Sequence, residues 1–146
     1  MIASQQCIDL IKKFEGYFDK AYVCPAGKNT IGFGSTMWMD GKPIKLGEVI
    51  TMEGAEKLLK WEMEKKSIAL QNLNLNQNQF DSCLSFIYNC GIGAFNRSTL
   101  KKKIRINPND PTIRDEFMRW VNKGSSFEKG LTKRRKAEAD LYFKQQ

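Results

Sequence analysis

The chain has no histidine, and its four cysteines, Cys7, Cys24, Cys83 and Cys90, form no CxxC pair. Zinc sites are built from such pairs and histidine partners, so no metal centre or other cofactor is expected. No apolar run approaches the ~18–20 residues of a membrane span, which argues against membrane insertion and for a water-soluble globular chain. The opening segment, MIASQQCIDLIKKFEG, lacks a basic stretch followed by a continuous apolar one, and its apolar residues are spaced as on a helix face. No signal peptide is therefore expected, synthesis in a reducing cytoplasm follows, and structural disulfides are not the default. Repeats, linkers and low-complexity tracts are also lacking, so the 146 residues read as one domain.

What the chain does have is positive charge: 24 Lys and Arg against 16 Asp and Glu give +8. Such an excess draws a protein to a polyanion without naming it, be it nucleic acid, anionic lipid or bacterial cell wall. The excess gathers at Lys101-Lys102-Lys103-Ile104-Arg105 and Lys133-Arg134-Arg135-Lys136, for which a solvated basic helix face is an equally good reading. Neither run matches a nucleic-acid motif. Cys7, Cys83 and Cys90 stand among apolar neighbours in helical segments and read as buried free thiols. Cys24 sits instead in the turn Cys24-Pro25-Ala26-Gly27, where an exposed thiol calls for a task.

Apolar spacing predicts a helix over residues 4–14, with Ser4 as its N-cap and Gly16 just past its end. Loose alternation over residues 17–39, broken by the 24–29 turn, predicts a small antiparallel sheet, with a third short strand near residues 43–46. Thr51 reads as the cap of a long helix over 51–70, which would connect a β-bearing lobe (about 15–50) to a helical one (about 71–146 plus helix 4–14). Asn76-Gln77-Asn78-Gln79 resembles a capping box opening the next helix, which ends at Gly91. Further helices are expected over 99–106, 112–122 and 131–143. The fold class is α+β, with a small sheet lobe and a larger helical lobe.

The segment FEGYFDKAYVCPAGKNTIGFGST aligns an acid, a thiol and a hydroxyl, Glu15, Cys24 and Thr30, along a helix end, a strand, a turn and a strand. Eight residues separate the first pair and five the second, intervals that can bring the three to one face of a cleft. Glu15 falls at a helix C-terminus, where the dipole favours the protonated form that a proton donor needs.

This spacing, with Thr30-Ile31-Gly32-Phe33-Gly34 following, resembles the catalytic signature of the phage-type lysozymes, the endolysin muramidases. Segments resembling the family continue in order through Asn78-Gln79-Phe80-Asp81, Phe86-Ile87-Tyr88-Asn89-Cys90-Gly91, Phe95-Asn96-Arg97-Ser98-Thr99-Leu100, Phe117-Met118-Arg119-Trp120 and Gly130-Leu131-Thr132-Lys133-Arg134-Arg135. The resemblance implies hydrolysis of the β-1,4 bond between N-acetylmuramic acid and N-acetylglucosamine in peptidoglycan, by a two-lobed enzyme that reaches the wall after release from the cytoplasm; with no heptad or exposed apolar stripe in the sequence, a monomer is expected. It implies Glu15 as the acid, Thr30 as holder of the attacking water, and Cys24 at a position where many members carry Asp.

If ionised, Cys24 would act as base or nucleophile; if neutral, it would only position water, and the stereochemical course stays open. An arginine near the acid is a family feature, which points to Arg134 or Arg135. Ser35 stands where many members have His, a change expected to affect packing more than chemistry. Two further readings remain: a wall-binding relative with weak or no turnover, and a nucleic-acid-binding domain suggested by charge alone.

Overall fold

A computed structural model describes residues 1–145, which contain seven α-helices and one two-stranded antiparallel sheet. The fold is α+β, as the periodicities predict. The chain divides into two compact units, Met1–Cys7 together with the chain from Lys66 onward, and Ile8–Lys65. Helix α1 (Gln5–Glu15) and helix α2 (Met52–Lys66) each run across a division point.

In the unit Ile8–Lys65, α1 stops at Glu15 because Gly16 takes a left-handed conformation (φ 74°) and donates its N–H to the Lys12 carbonyl at 3.0 Å. The chain then enters β1 (Phe18–Val23), turns at Cys24–Lys28 and returns as β2 (Asn29–Gly32). β2 is buried where β1 is largely exposed. Gly32 (φ 66°) permits the close approach of β2 to α2, since a Cβ there would lie 3.1 Å from that of Ala55. Thr51 caps α2 as its position predicts, its Oγ1 accepting the Gly54 N–H at 3.0 Å.

The expected third strand near 43–46 is reduced to a single bridge between Met37 and Pro43. Pro43 has no N–H with which to extend a ladder. A second isolated bridge, Lys20 to Val49, lines the other edge of β1.

The other unit is organised on α3 (Gln77–Cys90), opened by the expected capping box of Asn76 and Gln79. Ten successive α3 residues, Asn78 to Ile87, are buried, including Asp81, Ser82 and Ser85, so the polar positions that look like a solvent face are interior. They are tolerated because they are bonded: Ser4 donates its hydroxyl and its N–H to the Asp81 carboxylate, and Ser82 Oγ donates to the Glu138 carbonyl at 2.5 Å. The helix packs on α7 (Glu128–Tyr142), and Phe86 makes edge contacts with Phe95, Phe117 and Trp120.

Between them lie α4 (Ile92–Arg97), α5 (Thr99–Ile106) and α6 (Ile113–Met118). The sequence did not separate α4, because Gly91 reads as a stop. Here the same glycine (φ 95°) ends α3 and opens the next helix. The 51–70 helix closes as a 3₁₀ turn over Ser67–Leu70.

Cys7 and Cys83 are buried free thiols, whereas Cys90 is half-buried with its Sγ 2.7 Å from Arg135 Nη1. Burial above all pushes the Cys7 and Cys83 thiols far up, with nearby Asp81 and Glu138 adding to the effect at Cys7. A raised folded value means that stability is complete below the unfolded thiol value of ~8.5 and is lost as pH rises past it, since only the unfolded chain sheds those protons. The expected slope is about 1.4 kcal/mol per thiol for each further pH unit. Urea midpoints between pH 8 and 10 check this, and the Cys7→Ala/Cys83→Ala double variant should show a shallower fall.

Candidate active site

Glu15, Cys24 and Thr30 all lie in the unit Ile8–Lys65. Glu15 is the half-buried last residue of α1. Thr30 is buried on β2, directly opposite Tyr22 of β1 in the antiparallel register. Residues facing each other across a ladder project to the same face, so Tyr22 and Thr30 share one side of the sheet.

Cys24 is fixed by the turn itself. Its N–H donates to the Lys28 carbonyl at 2.9 Å and its carbonyl accepts the Gly27 N–H at 2.8 Å. Gly27 holds φ 82°, which suits a residue without a Cβ. Within this loop the Lys28 backbone N–H and then the Thr30 hydroxyl stabilise the thiolate, and together they hold the Cys24 thiol below its ordinary value. Backbone and hydroxyl donors, not a lysine charge, lead this effect.

Thr30 Oγ1 donates to the Lys28 carbonyl at 3.0 Å, and its hydroxyl is the second influence that holds the Cys24 thiol down.

Sequence reasoning missed Tyr22. Burial, and then the negative charges at Cys24 and Glu15, push its phenol up, which places the ring in the field of both groups. The signal was present in the period-2 alternation that sets Tyr22 two residues before Cys24, but nothing in residue type alone raised it above an ordinary strand aromatic.

Arg134 and Arg135 lie in the other unit, on α7, and both are buried. Glu138 binds both: Arg134 Nε is 3.3 Å from Oε2 and Arg135 Nε is 2.8 Å from Oε1. Ser35 is wholly buried; its backbone exchanges two 2.9 Å hydrogen bonds with Ile31, while its Oγ finds no hydrogen-bond partner among the described residues.

An acid at a helix end, a thiol in a turn and a hydroxyl on a strand, all in one unit, are residue types that glycoside hydrolysis can use. Comparison with known proteins gives the family. The sequence profile of the family described as Phage lysozyme matches residues 12–138. An endolysin of Acyrthosiphon pisum secondary endosymbiont phage 1 is 37% identical over 149 residues, covering 97% of this chain and 98% of that protein. The endolysin of Salmonella phage P22 is 34% identical, covering 95% and 97%. The solved endolysin from Escherichia coli O157:H7 phage FAHEc1 superposes with a TM-score of 0.87 at 37% identity, over 98% of this chain and 94% of that one.

The chain belongs to the phage lysozyme family. It is a peptidoglycan hydrolase of the endolysin kind, a muramidase that cleaves the β-1,4 bond between N-acetylmuramic acid and N-acetylglucosamine. The reading as an inactive wall-binding relative is not favoured. Among the described residues no helix is long and apolar enough to cross a membrane.

Proposed function

We propose that Glu15 is the general acid of this hydrolysis, Cys24 its general base and Thr30 the residue that holds the attacking water. Glu15 gives its proton to the glycosidic oxygen as the bond to the muramic acid C1 breaks. Water held by Thr30 loses a proton to the Cys24 thiolate as its oxygen bonds to C1. Glu15 is then a carboxylate and Cys24 a thiol, and exchange with solvent restores both. Displacement by water in a single step inverts the anomeric carbon.

The observation that carries the choice of base is the pair of donors, Lys28 N–H and Thr30 hydroxyl, that favours the thiolate. A carboxylate at this position would be ionised at neutral pH without help. A thiol needs these donors to reach the same state. The +8 charge serves to concentrate the enzyme, acting as a monomer, on the anionic wall after its release from the cytoplasm.

Cys24→Ser tests the assignment. A serine hydroxyl does not ionise near neutrality, so the release of reducing ends from purified peptidoglycan should fall about 10²-fold, and Cys24→Asp should recover most of it. In the wild type, iodoacetamide should inactivate in step with modification of Cys24, with a pH midpoint below the ordinary thiol value. Wild-type turnover by Cys24→Ser would remove the base role.

A further inference from the structure

Tyr22 has no part in the chemistry assigned above, yet the strand is distorted where it sits. Phe18 pairs with Gly32 and Tyr22 with Thr30, so four steps along β1 match two along β2, and the surplus forms a bulge. The bulged residues are tied down on the far edge of β1, where Ala21 N–H donates to the Glu48 carbonyl at 3.0 Å and Ile50 N–H to the Asp19 carbonyl at 2.9 Å. In an undistorted strand, Cα atoms four residues apart are separated by about 13 Å. Here the Phe18 and Tyr22 ring centroids are only 4.4 Å apart. Bulges beside functional sites re-aim a side chain, and this one braces the Tyr22 ring against Phe18 on the face shared with Thr30.

Two other tyrosine hydroxyls have structural duties: Tyr17 donates to the Ile50 carbonyl at 2.9 Å and Tyr142 to the Pro108 carbonyl at 2.6 Å. Tyr22 instead lies in the field of Glu15 and Cys24 and keeps its proton at neutral pH. It is a neutral donor packed against Phe18, in the field of an acid and of a thiol held below its ordinary value.

We propose that the Tyr22 hydroxyl is a substrate-binding donor, bonding an oxygen of the N-acetylated hexosamine whose glycosidic oxygen receives the Glu15 proton. It holds that sugar between Glu15 and the Cys24–Thr30 pair. The inference rests on the roles proposed above for those residues.

Tyr22→Phe keeps the ring against Phe18 and removes only the hydroxyl. On purified peptidoglycan its kcat/KM should fall about three- to tenfold, the worth of one hydrogen bond. Melting temperature and the pH profile of Cys24 alkylation should stay at wild-type values, which a merely structural role would shift. Wild-type kcat/KM in Tyr22→Phe overturns the proposal. Glu15→Gln in the same assay separates the two failures: turnover there means that the site reading is wrong, whereas an inert Glu15→Gln beside an unimpaired Tyr22→Phe means that only the tyrosine role is. A second measurement does not depend on the folding of Tyr22→Phe. In Glu15→Gln saturated with a soluble muropeptide disaccharide, the ¹³Cζ NMR titration midpoint of Tyr22 should rise, because the phenol donates to the sugar. An unchanged midpoint also overturns it.

Discussion

Glu15→Gln should reduce peptidoglycan hydrolysis by about 10²–10⁴-fold, the range supplied by a positioned general acid. The amide keeps the shape of the carboxyl but cannot deliver a proton to the glycosidic oxygen. Because Glu15 is the last helical residue and the Gly16 turn is built from backbone, with its N–H on the Lys12 carbonyl, the substitution leaves the path of the chain intact. The assay is reducing-end release from purified walls, with circular dichroism as the control for folding. Lysis at the wild-type rate would show that another group protonates the leaving oxygen.

The spacing from Glu15 to Thr30 was legible because local rules govern it: a glycine stop, a turn and two short strands put the three residues in one unit. The state of Cys24 was not legible, because it depends on where the Lys28 N–H and the Thr30 hydroxyl point after the turn closes. Tyr22 was missed for a related reason. Its placement needs the bulge in β1, whose cause lies partly in bonds to residues 48–50, remote in sequence.

The basic run 133–136 shows the limit of charge reading most clearly. Lys133 and Lys136 are exposed as a solvated face predicts, but Arg134 and Arg135 turn inward. Glu138 lies four and three residues further along the same helix, and Ser85 and Asn89 reach them from α3. A buried arginine is paid for by such partners, and only Glu138 among them is visible from local spacing.

Arg135→Met should cost about 3–5 kcal/mol of stability at neutral pH, the loss expected when one member of a buried ionic cluster is removed. The guanidinium lies over the Phe86 ring at 5.0 Å and bonds Asn89 Oδ1 at 2.6 Å, so packing and hydrogen bonds go together. The larger effect is on Glu138. Burial already pushes its carboxyl above the ordinary value, and Arg135 is the strongest influence opposing that shift, followed by Arg134 and the Ser85 hydroxyl at 2.6 Å. Without Arg135 the folded carboxyl titrates higher still. A raised folded value means that stability is fully present below the unfolded carboxyl value of ~4.3 and declines as pH rises through the folded one. The deficit of Arg135→Met relative to wild type should therefore be smallest in acid and widen towards neutrality, which urea titrations between pH 4 and 8 would show. Adding Glu138→Leu removes the stranded carboxylate and with it the pH dependence of the deficit, but it also takes from the buried Arg134 the carboxylate that Glu138 gives it, so the double variant should stay well below the wild type. A deficit of the single variant that is independent of pH would mean that Arg135 acts through packing on Phe86 alone.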